Sequence, residues 1–297
     1  MRIFITAVCL IVMAMLPQFA SANPPATIDE LAALYNIDKC ADCHEDIHTD
    51  WKNSWHAQSL TDSRVLRTWR TFIINGLDKS QHPAATRPLL KLACLRCHAP
   101  QTMVLPDEEI TKIAELVIQA VDDADEGMRK AAKDKLSGIN INCLVCHNEK
   151  GAADGNPQAM TIYGPKGNKD TPHKDEIGYE TVQSEMFTTT EFCTQCHTGC
   201  DQVPEGTDCW STKTAYKEYQ AKGGDKTCQQ CHMEKVDEVP SHRFPGVTEK
   251  DFVNKGIDLK VDAWKTTFVN HLTNELFPAV VAKVDLKNNT PHEIPHG

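Results

Sequence analysis

Ten of the thirteen cysteines and five of the thirteen histidines in this chain fall into one recurring pattern, C-x-x-C-H. The units are Cys40/Cys43/His44, Cys94/Cys97/His98, Cys143/Cys146/His147, Cys193/Cys196/His197 and Cys228/Cys231/His232. Two thiols about one helical turn apart present their sulfurs to the same side, and a histidine directly after them can swing its imidazole beneath whatever the thiols hold. Zinc knuckles and thioredoxin-like redox pairs also use C-x-x-C, but neither demands histidine at the next position. Covalent haem attachment does: the thiols add to two vinyl groups along one porphyrin edge, and the adjacent histidine becomes the proximal iron ligand. The pattern therefore predicts five haems c, with the ten cysteines as thioether anchors and His44, His98, His147, His197 and His232 as proximal ligands.

Eight further histidines lie outside the motifs: His48, His56, His82, His173, His242, His271, His292 and His296. That is enough to fill five distal positions, and an iron held by two protein ligands suits electron transfer, whereas an open side suits chemistry. His56 and His242 are the first candidates for distal ligands, followed by His173 and His292. His82 and His271 compete for the fifth place, and His48 and His296 read as surface residues. Methionine also ligates haem iron, so Met103, Met160, Met186 and Met233 stay as alternatives, although most methionines simply pack in cores. The five tryptophans read as packing groups against porphyrin faces rather than as electron stepping stones.

The two remaining cysteines after the fourth motif, Cys200 and Cys209, flank a loop containing Pro204 and Gly206, and a disulfide closing that loop is expected. The alternative is a reactive thiol, but no positive charge or histidine directly flanks either residue. Cys9 lies in an apolar run over residues 3–16 that follows Arg2 and precedes Ala20-Ser21-Ala22. Those features read as a cleavable secretory signal over residues 1–22, which places the product in the periplasm or outside the cell. An oxidising compartment also agrees with the cysteine count. No later stretch approaches the roughly 20 apolar residues of a spanning helix. The formal charge of -10, which haem propionates would deepen, argues against nucleic acid and anionic membrane surfaces and for redox partners with basic docking patches, or for other cytochromes.

The motifs run through most of the chain, so residues 23–258 read as one pentahaem body without identical repeats. The expected fold class is mainly α: helices and long loops wrapped around a chain of closely stacked covalent haems. Ile110, Ile113, Leu116, Val117 and Val121 mark one face of a helix capped at Asp107, continuing to Leu136 and stopping at Gly138. A second helix is expected from Trp210 to Ala221, and the acidic run over residues 122–126 reads as a solvated face. Residues 259–297 read as a C-terminal extension with a helix and a short strand. The strand follows from Val280, Ala282, Val284 and Leu286 alternating with other residues, the period of a half-buried strand. No second strand is evident in the sequence, so it reads as an edge strand that pairs with a partner or belongs to something longer.

Short segments around the motifs resemble the multihaem cytochromes grouped with hydroxylamine oxidoreductase, pentahaem nitrite reductase and the tetrahaem cytochrome of ammonia oxidisers. The run Trp51-Lys52-Asn53-Ser54-Trp55-His56-Ala57 is similar to that family's W-x-x-S-x-H-A segment, whose histidine is a distal ligand. Gly138-Ile139-Asn140-Ile141-Asn142-Cys143 resembles its glycine-led approach to a haem. Cys228-Gln229-Gln230-Cys231-His232-Met233 followed by Ser241-His242-Arg243-Phe244-Pro245-Gly246 is similar to a family pattern in which the second histidine is distal. His292 with Pro295 and Gly297 resembles a further signature. The departures bear on activity: those nitrite reductases carry lysine in place of one motif histidine, whereas all five motifs here keep histidine. Hydroxylamine oxidoreductase carries eight haems and a crosslinked tyrosine near its C-terminus, whereas the last tyrosine here is Tyr219.

These observations point to an exported electron carrier. Two alternatives are an oxidoreductase acting on a small nitrogen or sulfur compound at one open haem, and a subunit of an extracellular cytochrome filament.

Overall fold

The computed structural model describes residues 24–75, 90–167, 171–198 and 212–290. The sequence-expected ligands His82 and His292 and the expected pair Cys200 and Cys209 lie outside these residues. Among the described residues helices dominate, with three two-stranded pairings: β1 (Thr161–Gly164) runs parallel to β2 (Glu180–Gln183), β3 (Lys235–Val236) antiparallel to β4 (Val239–Pro240), and β5 (Ile257–Asn270) antiparallel to β6 (Glu275–Asn288). Among the described residues no helix is long and apolar enough to cross a membrane.

The core sits in the N-terminal half. Ile110, Ile113, Ala114 and Val117 form the buried stripe of the helix Asp107–Asp122, at the spacing an amphipathic helix needs. They pack with Ile28 and Leu31, Leu66, Trp69 and Ile73, and Ala132 and Leu136, so four helices close around Leu95 and Ala99 on either side of the second motif's histidine. Glu109 is buried on the same helix, where its carboxylate accepts the Ile28 amide at 2.9 Å. That bond supplies one of the free donors at the start of the helix Ile28–Leu34, beside the Thr27 hydroxyl, which accepts from Glu30.

The helix expected as one stretch from Asp107 to Leu136 is two, Asp107–Asp122 and Glu126–Ser137. The acidic run is the break: Asp125 is an N-cap whose carboxylate accepts from the Met128 amide at 3.1 Å. Arg129 donates to the Asp123 carbonyl at 2.6 Å, satisfying one of the acceptors that the first helix leaves open.

The C-terminal extension departs further from expectation. Where residues 259–297 were expected to hold a helix and an edge strand, residues 257–270 form β5 and supply the partner of the alternating strand, so β6 is paired through all fourteen of its residues. The reason is legible afterwards: Ile257, Leu259, Val261 and Ala263 alternate with Asp258, Lys260 and Asp262, a period-two pattern that no helix can place on one face. Nor is β6 half buried, since it is exposed at every position but one.

Candidate haem-binding site

Each described cysteine pair sits in a helical turn, as one-edge attachment requires. The first motif ends the helix Asp38–Cys43, and the fifth is itself the helix Cys228–His232. A capping box starts that last helix, with the Thr227 amide donating to the Gln230 side chain at 2.7 Å. The third motif is capped by Asn142, whose side-chain oxygen accepts from Leu144 and Val145 at 3.1 and 3.2 Å.

Three of the motif histidines are fixed through their Nδ1 atoms. His98 Nδ1 lies 2.8 Å from the Ser59 carbonyl, His147 Nδ1 2.8 Å from the Tyr163 carbonyl, and His232 Nδ1 3.0 Å from the Pro245 carbonyl. Outside the motifs, His242 Nδ1 lies 2.9 Å from the Pro240 carbonyl. A carbonyl oxygen only accepts, so in each case Nδ1 carries the proton and Nε2 keeps the lone pair that binds a metal. This outer hydrogen bond is the usual support of a ligating histidine.

The imidazoles come in facing pairs. His44 and His173 have ring centroids 6.0 Å apart, His56 and His197 6.1 Å, and His147 and His242 6.3 Å. Two imidazoles that bind one metal ion from opposite sides stand about 6 Å apart between centroids, because each metal–nitrogen bond is about 2 Å. The donor set and its spacing thus fit a haem iron between each pair. Burial, reinforced by His197 and His98, lowers His56 to about 4, and burial likewise lowers His147 to about 4, so both rings stay neutral, the form that ligates.

The motifs also meet one another. Cys40 lies beside Cys143, Cys97 beside Cys196 and Cys193 beside Cys228, each pair coupled by a side-chain hydrogen bond that lowers Cys40, Cys97 and Cys228 and raises their partners. Cys146 of the third motif stands close enough to Cys193 and Cys196 to raise both. Motif one therefore adjoins three, three adjoins four, and four adjoins both two and five.

Two shells of ordinary side chains hold this cluster. Asn140, buried, accepts from the Leu60 amide at 2.8 Å and donates to the Ala57 carbonyl at 2.7 Å, while the Ser59 hydroxyl donates to the His98 carbonyl at 2.7 Å. The segment carrying His56 is thereby tied to the second motif and to the approach to the third. Gly151 lets the chain pass under the third motif: a Cβ there would stand 2.7 Å from Tyr163 Cβ and 3.1 Å from the Cys146 carbonyl. The Phe187 ring stacks on His147 at 4.8 Å and 14°.

Of the distal candidates, His56, His173 and His242 each face a motif histidine. His271 lies exposed in the turn between β5 and β6, and His48 packs on Trp51 at 5.3 Å. Of the tryptophans, Trp69 is buried with its ring 5.1 Å from His98, Trp51 donates to the Ile141 carbonyl, and Trp264 is exposed on β5. The supporting residues Ser59, Asn140, Asp50 and Pro245 were not singled out from the sequence. Asn140 and Pro245 fall within segments that resemble known multihaem cytochromes, whereas Asp50 and Ser59 lie just outside the segment Trp51–Ala57 and carry no signal of their own.

No protein-family model matches the chain, and no curated protein does. Among solved structures, the fold is similar to the crystal structure of a penta-haem cytochrome c552 from Thermochromatium tepidum, with a TM-score of 0.55 and 23% sequence identity, over 88% of this chain and 67% of that one. The likeness shows a mainly α multihaem cytochrome fold.

Proposed function

We propose that the protein is an exported pentahaem c-type cytochrome that passes electrons between redox partners outside the cytoplasm. The observation that carries this reading is the set of three facing imidazole pairs at 6.0, 6.1 and 6.3 Å, each with one member from a C-x-x-C-H motif. Bound haem supplies a reversible one-electron iron centre, and axial ligation by two histidines closes both faces to substrate. On this reading His44 pairs with His173, His197 with His56, and His147 with His242, while His98 and His232 serve the remaining two haems. The ten motif cysteines are the thioether anchors.

The contacts among the motif cysteines support an order for the five haems. Cysteines would anchor porphyrin edges, so motifs whose cysteines meet would hold neighbouring haems, in the order one, three, four, with two and five both beside four. Nδ1 hydrogen bonds to backbone carbonyls hold the ligating rings in place, so that little moves on reduction. A cationic redox protein suits a surface with the formal charge of -10.

A haem assay with electron paramagnetic resonance of the oxidised holoprotein tests this. Five haems per chain, all low-spin, are expected. One high-spin haem whose signal moves on adding nitrite or hydroxylamine would replace the carrier with an enzyme, and electron microscopy showing fibres instead of discrete particles would make it a filament subunit.

A further inference from the structure

We propose that residues 241–245, held by Asp50, act as one clamp that positions the axial imidazoles of three haems, and that Asp50 is its positioning residue. The inference rests on the ligand pairs above and goes beyond them, because it assigns a shared control to haems that those pairs treat separately.

Asp50 lies on the helix Glu45–Lys52, directly after the first motif. One of its carboxylate oxygens accepts from the Ser241 hydroxyl at 2.7 Å and from the His242 amide at 3.2 Å. The Ser241 oxygen in turn accepts from the Arg243 amide at 3.2 Å. One carboxylate thus fixes the start of the segment through a side chain and a backbone donor. Its far end is fixed separately, by the Gly246 amide donating to Glu249 at 2.9 Å.

Between these anchors, successive residues reach different imidazoles. His242 faces His147 of the third motif. The Phe244 ring stands edge-on to His56, the partner of His197 in the fourth motif, at 4.7 Å and 83°, and also meets His242 at 5.7 Å. The Pro245 carbonyl takes the Nδ1 proton of His232, in the fifth motif, at 3.0 Å. Phe244 has a φ of 49°, a left-handed backbone that bulky residues rarely adopt. Such a conformation persists only where the surroundings over-determine it, and here it lets the ring and the next carbonyl serve separate imidazoles.

A loop that only fills space would transmit nothing among haems. A clamp must move several together. The test uses the full-length holoprotein, comparing Asp50→Ala with Asp50→Asn, which keeps an acceptor oxygen, and reading the g-values of each low-spin haem and a spectroelectrochemical titration. Asp50→Ala is expected to shift the signals of at least two haems at once, with the haem count unchanged, and Asp50→Asn to restore most of the wild-type pattern. If Asp50→Ala leaves every signal in place, or alters one haem alone, the clamp is wrong. Should Asp50→Ala fail to accumulate, Phe244→Leu decides: a joint shift of the two haems served by His56 and His242 supports the clamp, and an unchanged spectrum overturns it. A wild-type protein with fewer than five haems, or without paired-histidine signals, would instead overturn the ligand assignment itself.

Discussion

The helical body and the β5–β6 arm obey different rules. In the body, polar side chains far apart in sequence meet to hold imidazoles, as Asn140 meets residues 57–61 and Asp50 meets residues 241 and 242. In the arm, strand pairs with strand: fourteen register pairs span about 45 Å of ribbon, and nearly every side chain on both faces is exposed. One face carries Leu259 opposite Leu286, Val261 opposite Val284 and Ala263 opposite Ala282. The base of the other carries Asp258 opposite Lys287, Lys260 opposite Asp285 and Asp262 opposite Lys283. An isolated two-stranded hairpin is marginal in water, so the arm should open at a free energy far below that of the body. The difference separates stability that serves the cofactor from stability that is only backbone pairing.

The sharpest way to break this contrast is to cut a long-range polar node. Asn140→Ala removes the acceptor for Leu60 and the donor to Ala57 in a buried place, leaving an amide and a carbonyl without partners. The expected loss is about 2–4 kcal/mol in chemical unfolding of the holoprotein, together with a changed signal from the haem of His98 or His197. A loss of a few tenths would mean that the node is ornamental. Next in size is Gly151→Ala, where the new Cβ meets Tyr163 and the Cys146 carbonyl inside a packed turn. Overpacking there should cost about 1–3 kcal/mol and shift the signal of the His147 haem, leaving the arm's hydrogen exchange as it was.

The sequence was readable where chemistry is local. The C-x-x-C-H units mark their own candidate ligands, and the stripe Ile110, Ile113, Val117 names its buried face. It was unreadable where the outcome depends on distant contacts or on one side chain's second role: nothing near His44 announces His173, and nothing in the solvated acidic run announces that exposed Asp125 also caps a new helix. The arm was misread for the opposite reason. Its alternation is regular in β6 and in the first half of β5, Ile257 to Ala263, but loses a clear apolar face where Trp264, Thr266, Thr267 and Phe268 follow. Four-residue β1 and β2 pair in parallel through backbone geometry that periodicity does not encode.

A smaller effect sharpens the comparison through pH. Glu109 is buried, which opposes its charge, but hydrogen bonds from Lys112 and the Ile28 amide hold its carboxyl below the ordinary range. A carboxyl with a lowered folded-state value adds stability above its unfolded value and loses that stability as pH falls through the folded one. Glu109→Gln should therefore cost about 1 kcal/mol near neutrality, and the gap to wild type should close in acid. A gap that stays constant from neutral to acidic pH would remove Glu109's charge from the account.

The smallest effect belongs to the arm and tests whether it is independent. Lys283→Glu places a negative charge opposite Asp262 and beside Asp285, to which Lys283 now lies at 3.0 Å. Exposed pairs of this kind are worth less than about 1 kcal/mol, so global unfolding should barely move. The charge reversal should nevertheless raise amide exchange along β5 and β6 and speed proteolytic cutting at the turn that carries His271, while every haem signal stays at its wild-type position. Adding Asp262→Lys restores an opposite-charge pair across the strands and should return exchange toward the original rate. If the single variant instead alters haem spectra, the arm is coupled to the cofactor cluster, and the division between cofactor-serving and purely local stability fails at the helix Lys250–Gly256, where β5 begins and where Phe252 stands 5.2 Å from the ring of His232.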